Sequence, residues 1–225
     1  MRDTGVLASI FPELALGAGM TQRQDCHMYD VLEHSLRCAM YAPDDIRLVA
    51  LLHDVGKPYC KITSGNFYNH EKEGARIVAE ICERLKVPKK LAEETVRLTS
   101  LHMYDGGGNV RESKIRRMIV SNRDVFFKLV ELKQADYSAC RDDLSEAPAI
   151  TRWREIYGEM IKEGVPFNLR ELKVRGDDLI AEGIPKAKCG KVLDRLLLEC
   201  AVLPQLNERN KLIITAKRVV RDIDD

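Results

Sequence analysis

Histidine and aspartate are the residue types in this chain whose positions point most directly to chemistry. The chain holds five histidines, and four of them, His34, His53, His70 and His102, fall within or beside predicted helices. Asp54 directly follows His53 in the segment LLHDVGKP. Imidazole nitrogens bind zinc, iron, manganese or nickel, and an aspartate adds a hard anionic oxygen that suits an ion open to water and phosphate. The pattern predicts a divalent metal site with mixed histidine and aspartate ligands.

The pair His53 and Asp54 lies at the predicted end of a strongly apolar helix. Consecutive helical residues point about 100 degrees apart, but at a helix end both side chains can lean towards one ion, and Asp54 can bridge two ions. An ionised aspartate buried there without a partner would be strongly destabilising, and a bound cation removes that penalty. The alternative interpretation is an exposed turn pair before Gly56.

A metal held in this way predicts a hydrolytic reaction. A divalent cation lowers the pKa of bound water towards neutrality and neutralises charge on phosphoryl oxygens, so no protein nucleophile is needed. The sequence offers neither a serine or cysteine nucleophile motif nor a glycine-rich phosphate loop. We predict catalytic roles for Asp54 and Lys57, with Lys57 also binding substrate through a phosphate oxygen. For Lys57, a solvated side chain at a helix terminus is the alternative.

The elements that carry these residues are predicted to be helical throughout. Apolar residues recur at three- and four-residue spacing and no useful stretch alternates with period two, so the predicted fold class is all-α. One helix begins near Asp30, and Pro43 separates it from the next, DIRLVALLHDV, which Gly56 and Pro58 end. That second helix is apolar on nearly every side, which predicts a position at the centre of a bundle.

The following helices carry the remaining histidines. The segment KITSGNFYN predicts a loop, a helix then starts near His70, and Pro88 opens a helix with His102 at its end. Three consecutive glycines make residues 105–109 a flexible loop.

The second half of the chain begins with a short basic helix around residues 115–120. A longer helix follows, with Asn122 as its predicted N-cap and Asp136 in its later turns. The acidic stretch RDDLSEAP marks the predicted domain boundary, which divides the chain into residues 1–145 and 146–225. Beyond it, the sequence predicts an amphipathic helix and three short helices, which form a small helical tail.

Composition narrows the class of protein. With 45% hydrophobic and 32% charged residues, the chain is predicted to be globular and soluble. It has no apolar run of membrane-spanning length and no signal peptide, so we expect a cytoplasmic location without membrane contact. A net charge of +1 excludes the strongly basic signature of a dedicated nucleic-acid binder. The seven cysteines form no C-x-x-C pair and are predicted to be reduced thiols without a chemical role.

Three segments together resemble the HD superfamily of metal-dependent phosphohydrolases: YDVLEHSL, LLHDVGKP and KQADYSA. The resemblance implies a first metal bound by the family's defining positions, which are His34, His53, Asp54 and Asp136. Members with two metals add two histidines, which here correspond to His70 in FYNHEKEGA and His102 in TSLHMYD. The implied cofactor is one or two divalent ions, Mn, Fe, Ni, Zn or Mg, with Asp54 bridging when two bind. A capped or exposed side chain is the alternative for His70 and His102.

A broader resemblance covers almost the whole chain. The segments IFPELALGAGMTQ, HMYDVLEHSL and GDDLIAEGIPKAKCGKVLDRLL are similar to the C-terminal half of bacterial tRNA nucleotidyltransferases, the CCA-adding enzymes. The nucleotide-adding head of that family has no counterpart in these residues, so nucleotide addition by this chain alone is not expected. The resemblance leaves open a stand-alone protein or a piece of a longer one.

Two functions from different classes follow from these resemblances. The first is a metal-dependent phosphohydrolase acting on nucleotide or RNA-terminal phosphates, such as 2',3'-cyclic phosphates. The second is a non-catalytic tRNA-binding body. The segments RESKIRRMIVSNR and IPKAKCGK are basic and could contact tRNA or RNA phosphates, although a basic run is more often a solvated helix face. Interleaved aromatic residues for base stacking are absent from both.

Overall fold

The structure is a computed structural model, and it describes residues 5–23 and 25–222. Within those ranges the chain forms α-helices joined by turns and short 3-10 helices, and it contains no β-strand. The predicted all-α fold class is confirmed. The α-helices of the described ranges are, in order, α1 (Val6–Ile10), α2 (Pro12–Ala15), α3 (Val31–Tyr41), α4 (Arg47–Leu52), α5 (Gly56–Ser64), α6 (His70–Arg84), α7 (Lys89–Leu101), α8 (Glu112–Ser121), α9 (Phe126–Arg141), α10 (Pro148–Lys162), α11 (Gly176–Ala181), α12 (Lys186–Val202) and α13 (Arg209–Asp222).

The described residues divide into two compact units. The first comprises the described part of Met1–Gly106 together with Val125–Ile150, and the second comprises Gly107–Asp124 together with the described part of Thr151–Asp225. Helix α8 therefore groups with the C-terminal helices, although it precedes α9 in the chain. The predicted domain boundary between residues 145 and 146 stays a prediction.

Helix α3 starts where the sequence predicts. The side chain of Asp30 caps it by accepting a hydrogen bond from the amide of Glu33 at 2.7 Å. The second carboxylate oxygen of Asp30 accepts from the amide of Gly19 at 2.8 Å. One side chain thus begins the helix and anchors the preceding segment to it.

The prediction for the region after His53 was wrong in one respect. Gly56 and Pro58 do not lead into a loop; they lie in the first turn of α5, which continues to Ser64 and includes the first part of the segment KITSGNFYN. Pro58 is compatible with that position because an amide in the first helical turn needs no intrahelical acceptor. The break between α4 and α5 therefore spans only residues 53–55, and His53 and Asp54 lie within it.

The predicted N-cap at Asn122 was also wrong. Asn122 is the C-cap of α8, and its side-chain amide donates a hydrogen bond to the carbonyl oxygen of Met118 at 2.9 Å. An asparagine side chain bonds to nearby backbone at either helix end, so its residue type alone does not decide which helix it belongs to. Helix α9 begins at Phe126 instead.

Helix α4 occupies the predicted central position in the first unit. It contacts α3, α7 and α9, and its residues Val49, Ala50 and Leu52 are buried. Leu52 belongs to an apolar cluster with Ile77, Val78 and Ile81 of α6, among others. Burial of these side chains holds the C-terminal end of α4, and with it His53, inside the bundle.

Helices α5 and α6 approach each other closely where they carry the site. A Cβ atom on Gly56 would overlap the carbonyl oxygen of His70 and would lie 2.6 Å from the amide nitrogen of Gly74. Only glycine fits at position 56, and the contact brings the first turn of α6 next to His53 and Asp54.

The second unit has its own apolar core. Trp153 of α10, Ile115 of α8, Leu196 of α12 and Leu212 of α13 are all fully buried. Helix α12 contacts α8, α11 and α13. In the described part of the chain, no helix has the length and apolar character that would let it cross a membrane.

Candidate metal centre

The structure brings all six predicted metal-binding residues together within the first unit. His34 lies on α3, His53 and Asp54 lie between α4 and α5, and His70 is the first residue of α6. The same cluster includes His102 at the C-cap of α7 and Asp136 on α9. His34, His53, Asp54, His70 and His102 are at most 5% exposed, so the alternative of exposed side chains does not hold for them.

One group of donors forms around His34 and His53. The Nε2 atoms of the two rings lie 3.3 Å apart. The Nε2 of His34 is 3.0 Å from Oδ1 of Asp136, and the Nε2 of His53 is 3.3 Å from Oδ2 of Asp54. These residues come from α3, α9 and the break after α4, which explains why three separate helices must pack correctly before the group exists.

A second group forms on the other oxygen of Asp54. Oδ1 of Asp54 lies 3.2 Å from Nε2 of His70 and 3.5 Å from Nε2 of His102, and the two Nε2 atoms are 3.2 Å apart. The two groups therefore share one carboxylate, each through a different oxygen. This is the arrangement expected of a carboxylate that bridges two ions.

The tautomers of three of these histidines follow from their backbone contacts. The Nδ1 atoms lie within hydrogen-bonding distance of carbonyl oxygens: 2.8 Å for His53 and Ala50, 2.7 Å for His70 and Phe67, and 2.7 Å for His102 and Thr99. A carbonyl oxygen only accepts, so Nδ1 carries the proton and, in a neutral ring, Nε2 presents a lone pair. The carbonyl contacts thus fix both the tautomer and the orientation of each ring.

The donor set consequently fits divalent cations. Lone pairs on the Nε2 atoms and on the oxygens of Asp54 converge at 3.2–3.5 Å, a repulsive arrangement unless positive charge lies among them. Two nitrogens bound to one ion at about 2.0–2.1 Å in tetrahedral geometry lie about 3.3–3.4 Å apart. The observed separations of 3.3 Å and 3.2 Å between Nε2 atoms are close to that value.

Electrostatics in the protein without metal support the same interpretation. Burial opposes the charged form of His53, yet the carboxylate of Asp54 and the groups around it raise the pKa of His53 well above its ordinary value. Burial also opposes the charged form of Asp54, but His53 and Lys57 hold the pKa of Asp54 well below its ordinary value. The buried carboxylate of Asp54 is therefore stabilised in its charged form by positive charge beside it, as a bound cation would also do.

Lys57 is a buried cation beside the cluster, and Asp136 lies where the cluster is open to solvent. The Nζ of Lys57 lies 2.6 Å from Oδ2 of Asp54 and donates a hydrogen bond of 2.6 Å to Oε1 of Gln22. Its side chain is 9% exposed, so the alternative of a solvated lysine is excluded by the structure. The side chain of Asp136 is 25% exposed, in contrast to 2% for Asp54, so solvent reaches the cluster beside Asp136.

Sequence reasoning missed two residues beside the site. Gln22 bonds to Lys57, but it lies in a segment without periodicity, and its sequence context carries no signal. The ring of His27 lies against that of His34, with ring centroids 4.9 Å apart, and the Nδ1 of His27 is 3.5 Å from Sγ of Cys140. Only its position seven residues before His34 could have singled it out.

The cysteines agree with the prediction of unpaired thiols. All seven are free, and Cys38 and Cys82 are buried in the apolar core. Burial raises the pKa of Cys140 to about 12, so this thiol is protonated and is no nucleophile at neutral pH.

The family match agrees with the composition of the cluster. Residues 25–135 match the model of the HD domain. That span contains all the clustered residues except Asp136, which follows directly.

Curated relatives extend the similarity beyond that domain. The CC-adding tRNA nucleotidyltransferase of Thermus thermophilus is 32% identical over 180 residues, which cover 74% of this chain and 40% of the relative. The A-adding tRNA nucleotidyltransferase of Deinococcus radiodurans is 31% identical over 149 residues, covering 61% of this chain and 34% of the relative. The multifunctional CCA protein of Acinetobacter baumannii is 28% identical over 110 residues, which cover 46% of this chain and 27% of the relative.

The chain therefore spans less than half the length of these relatives. The family match and the buried histidine and aspartate cluster agree with each other and with the resemblance seen in the sequence. Residues 25–135 match the HD domain, and the chain is similar to two tRNA nucleotidyltransferases.

Proposed function

We propose that this chain is a metal-dependent phosphohydrolase that acts on nucleotide or RNA-terminal phosphates, with 2',3'-cyclic phosphates as a representative substrate class. The observation that carries the proposal is the pair of donor groups sharing Asp54, each with Nε2 lone pairs directed at a different oxygen. Such a site has the ligands of one or two divalent ions.

The roles of the residues follow from their positions. His34, His53, Asp54 and Asp136 would hold one ion, and His70 and His102 would complete a second site with Asp54. Bound there, divalent cations would supply an activated water and neutralise charge on the phosphoryl oxygens. The exposed edge of Asp136 leaves room for water and substrate on that side.

Lys57 has a separate role in this proposal. Its ammonium group already faces Asp54, and a phosphate oxygen arriving at the site would give it a second anionic partner. Gln22 accepts from the same Nζ and keeps the lysine side chain directed into the site before substrate binds.

The substrate class rests on the relatives. These relatives are named as tRNA nucleotidyltransferases, and the similarity to the Thermus thermophilus protein extends over more residues than the HD domain does. RNA ends and nucleotides are therefore the first phosphate esters to test.

The test is hydrolysis of 2',3'-cAMP and of bis(p-nitrophenyl) phosphate by protein loaded with Mn²⁺, comparing the wild type with Asp54→Asn. Asp44→Asn is the matched control, because its carboxylate is 89% exposed and pairs only with Arg47 among the described residues. We expect turnover by the wild type and by Asp44→Asn, and a loss of at least about 10³-fold in Asp54→Asn. Equal hydrolysis by wild type and Asp54→Asn would refute the proposal.

A second candidate, a tRNA-binding body, is favoured by the similarity of this chain to tRNA enzymes beyond the HD domain. The structure limits the surface available for it. Arg116, in the first basic segment, is buried and pairs with Glu112 and Glu163, so it does not contribute to a phosphate-binding face. The exposed bases of the two predicted segments are Arg111, Lys114, Arg123, Lys186 and Lys191.

Binding of tRNA is testable by gel shift as a function of salt. If the exposed bases contact phosphates, the double variant Lys186→Ala, Lys191→Ala should bind more weakly and reduce the slope of log affinity against log salt by about 2. Arg116→Lys should leave the slope unchanged. No binding of tRNA at low salt would exclude this candidate and would leave the hydrolase proposal untouched.

A further inference from the structure

A third set of metal-binding atoms lies beside the first group and uses residues that the proposed hydrolysis does not need. One donor atom from each of His27, His34 and Cys140 lies within 4.8 Å of the other two. The Nδ1 of His27 is 3.5 Å from Sγ of Cys140, and the ring of His27 meets that of His34 edge-on. All three residues belong to the first unit.

The backbone holds His27 and Cys140 together. The amide of Met28 donates to the carbonyl oxygen of Cys140 at 3.0 Å, and the amide of His27 donates to that of Arg23 at 2.8 Å. The segment that carries His27 is thus tied to the C-terminal end of α9 by a backbone hydrogen bond.

The separation of the two donors matches a tetrahedral site for a soft ion. With a Zn–S distance of about 2.3 Å and a Zn–N distance of about 2.0–2.1 Å, nitrogen and sulfur on one tetrahedral ion lie about 3.6 Å apart. The observed 3.5 Å between Nδ1 and Sγ is close to this value. Thiolate and imidazole are a donor pair that selects zinc over manganese or magnesium.

A second observation concerns His34. Its Nδ1 is buried and, in the described part of the chain, has no hydrogen-bond partner. The other histidines of the centre each use Nδ1 to donate to a carbonyl oxygen. His34 alone among the four leaves Nδ1 without such a bond, and its Nε2 lies 3.0 Å from the Asp136 carboxylate, so Nδ1 is the nitrogen free to present a lone pair.

We propose that His27, Cys140 and His34 form an inhibitory site for a soft divalent cation, of which zinc is the representative. A neutral imidazole has one lone pair and can serve one ion at a time. When His34 binds the soft ion, its other nitrogen carries a proton and can only donate, so His34 is withdrawn from the group formed with His53 and Asp136.

Binding of the soft ion at this site releases a proton but transfers no electron. The sulfur of Cys140 binds as thiolate, so one proton leaves to solvent for each ion bound. His27 binds as a neutral ring through a lone pair, so it releases no proton. No electron transfer is involved.

The site itself can be tested without activity. Co²⁺ replaces zinc in such sites, and a bond to sulfur gives a thiolate-to-cobalt charge-transfer band in the near ultraviolet. We expect the band in the wild type and in Cys26→Ser, whose exposed thiol lies in the same segment as His27, and its loss in Cys140→Ser. A band that persists in Cys140→Ser, or no band in the wild type, would overturn the proposal.

Inhibition rests on the proposed hydrolase function and is measured separately. In Mn²⁺-loaded protein, the zinc concentration that halves the rate should rise at least about tenfold in Cys140→Ser and stay unchanged in Cys26→Ser. Equal sensitivity of wild type and Cys140→Ser would show that zinc acts elsewhere and would end the inhibitory role. If the wild type hydrolyses nothing, the function is wrong, and the cobalt band alone decides whether the site exists.

Discussion

Asp54 has two oxygens that face two different histidine groups, and this division explains the chemistry proposed for the site. Oδ1 lies beside His70 and His102, and Oδ2 lies beside His53 and Lys57. A buried carboxylate with this many cationic or metal-binding neighbours stays ionised. The same residue therefore serves both groups, and its loss should affect both.

Lys57 is the residue whose function is most separable from metal binding. Lys57→Ala removes the ammonium beside Asp54 without removing any donor atom to an ion. We expect kcat/KM to fall by about 10²-fold, because a donor to the phosphoryl oxygens is lost, while the metal content stays unchanged by elemental analysis.

Lys61→Ala is the matched control for this prediction. Lys61 lies one turn further along α5, and its exposed ammonium donates only to the carbonyl oxygen of Gly65 among hydrogen-bond acceptors in the described residues. Its removal should leave kcat/KM unchanged. An equal loss in both variants would mean that Lys57 acts through the general charge of α5 and not at the substrate.

At the scale of elements, the contact between α5 and α6 sets the position of His70. Gly56→Ala would push a methyl group into the backbone of His70 and Gly74, so α5 and α6 must separate or strain. We expect a loss of about 1–3 kcal/mol in the free energy of unfolding and weaker binding of the ion held by His70, measured by denaturant unfolding and metal titration.

Gly190→Ala tests whether this effect is specific. Gly190 lies in α12, and nothing lies within 4 Å of the position its Cβ would take. Alanine there should raise stability by up to about 1 kcal/mol, because it favours helix. A similar destabilisation by both substitutions would contradict the packing explanation.

A second element-scale feature ties the end of α9 to α3. Asp142 accepts hydrogen bonds from the hydroxyls of Tyr29 and Tyr41 and from the guanidinium of Arg37. The hydrogen bonds from Tyr29 and Tyr41 lower the pKa of Asp142, with a further contribution from Arg37. These bonds help to position Asp136 on α9 relative to His34 on α3.

This lowered pKa predicts an acid-dependent stability. A carboxylate whose folded pKa is depressed stabilises the protein above its unfolded pKa, and that stability is lost as the pH falls through the folded value. Asp142→Asn should therefore lower the melting temperature at neutral pH and make it fall less on acidification than in the wild type. If the two proteins lose melting temperature in parallel throughout the acid range, Asp142 does not contribute.

At the scale of the whole molecule, the sequence predicted the class of fold and the composition of the cluster. Helical periodicity was sufficient for α3, α6, α7 and the helices of the second unit, because each buries one apolar face. The meeting of His34 with Asp136, more than a hundred positions away, came from the resemblance to a family and not from periodicity.

The remaining features depend on tertiary contacts that no local pattern encodes. Pro58 suits either a helix end or a first helical turn, and Asn122 suits either end of a helix. The contacts of Gln22 with Lys57 and of His27 with Cys140 join segments far apart in the chain. Arg116, in the first basic segment, is buried and pairs with the exposed Glu163, which the basic character of the segment does not indicate.

The central claim is that Asp54 joins two metal groups in one site, and the most direct test is the number of ions bound per chain. The measurement is elemental analysis of folded, desalted protein after reconstitution with Mn²⁺. We predict two ions in the wild type, one in His102→Ala, and neither in Asp54→Asn, with Asp44→Asn unchanged. A wild type that binds no ion, or an Asp54→Asn protein that binds as many ions as the wild type, would contradict the account.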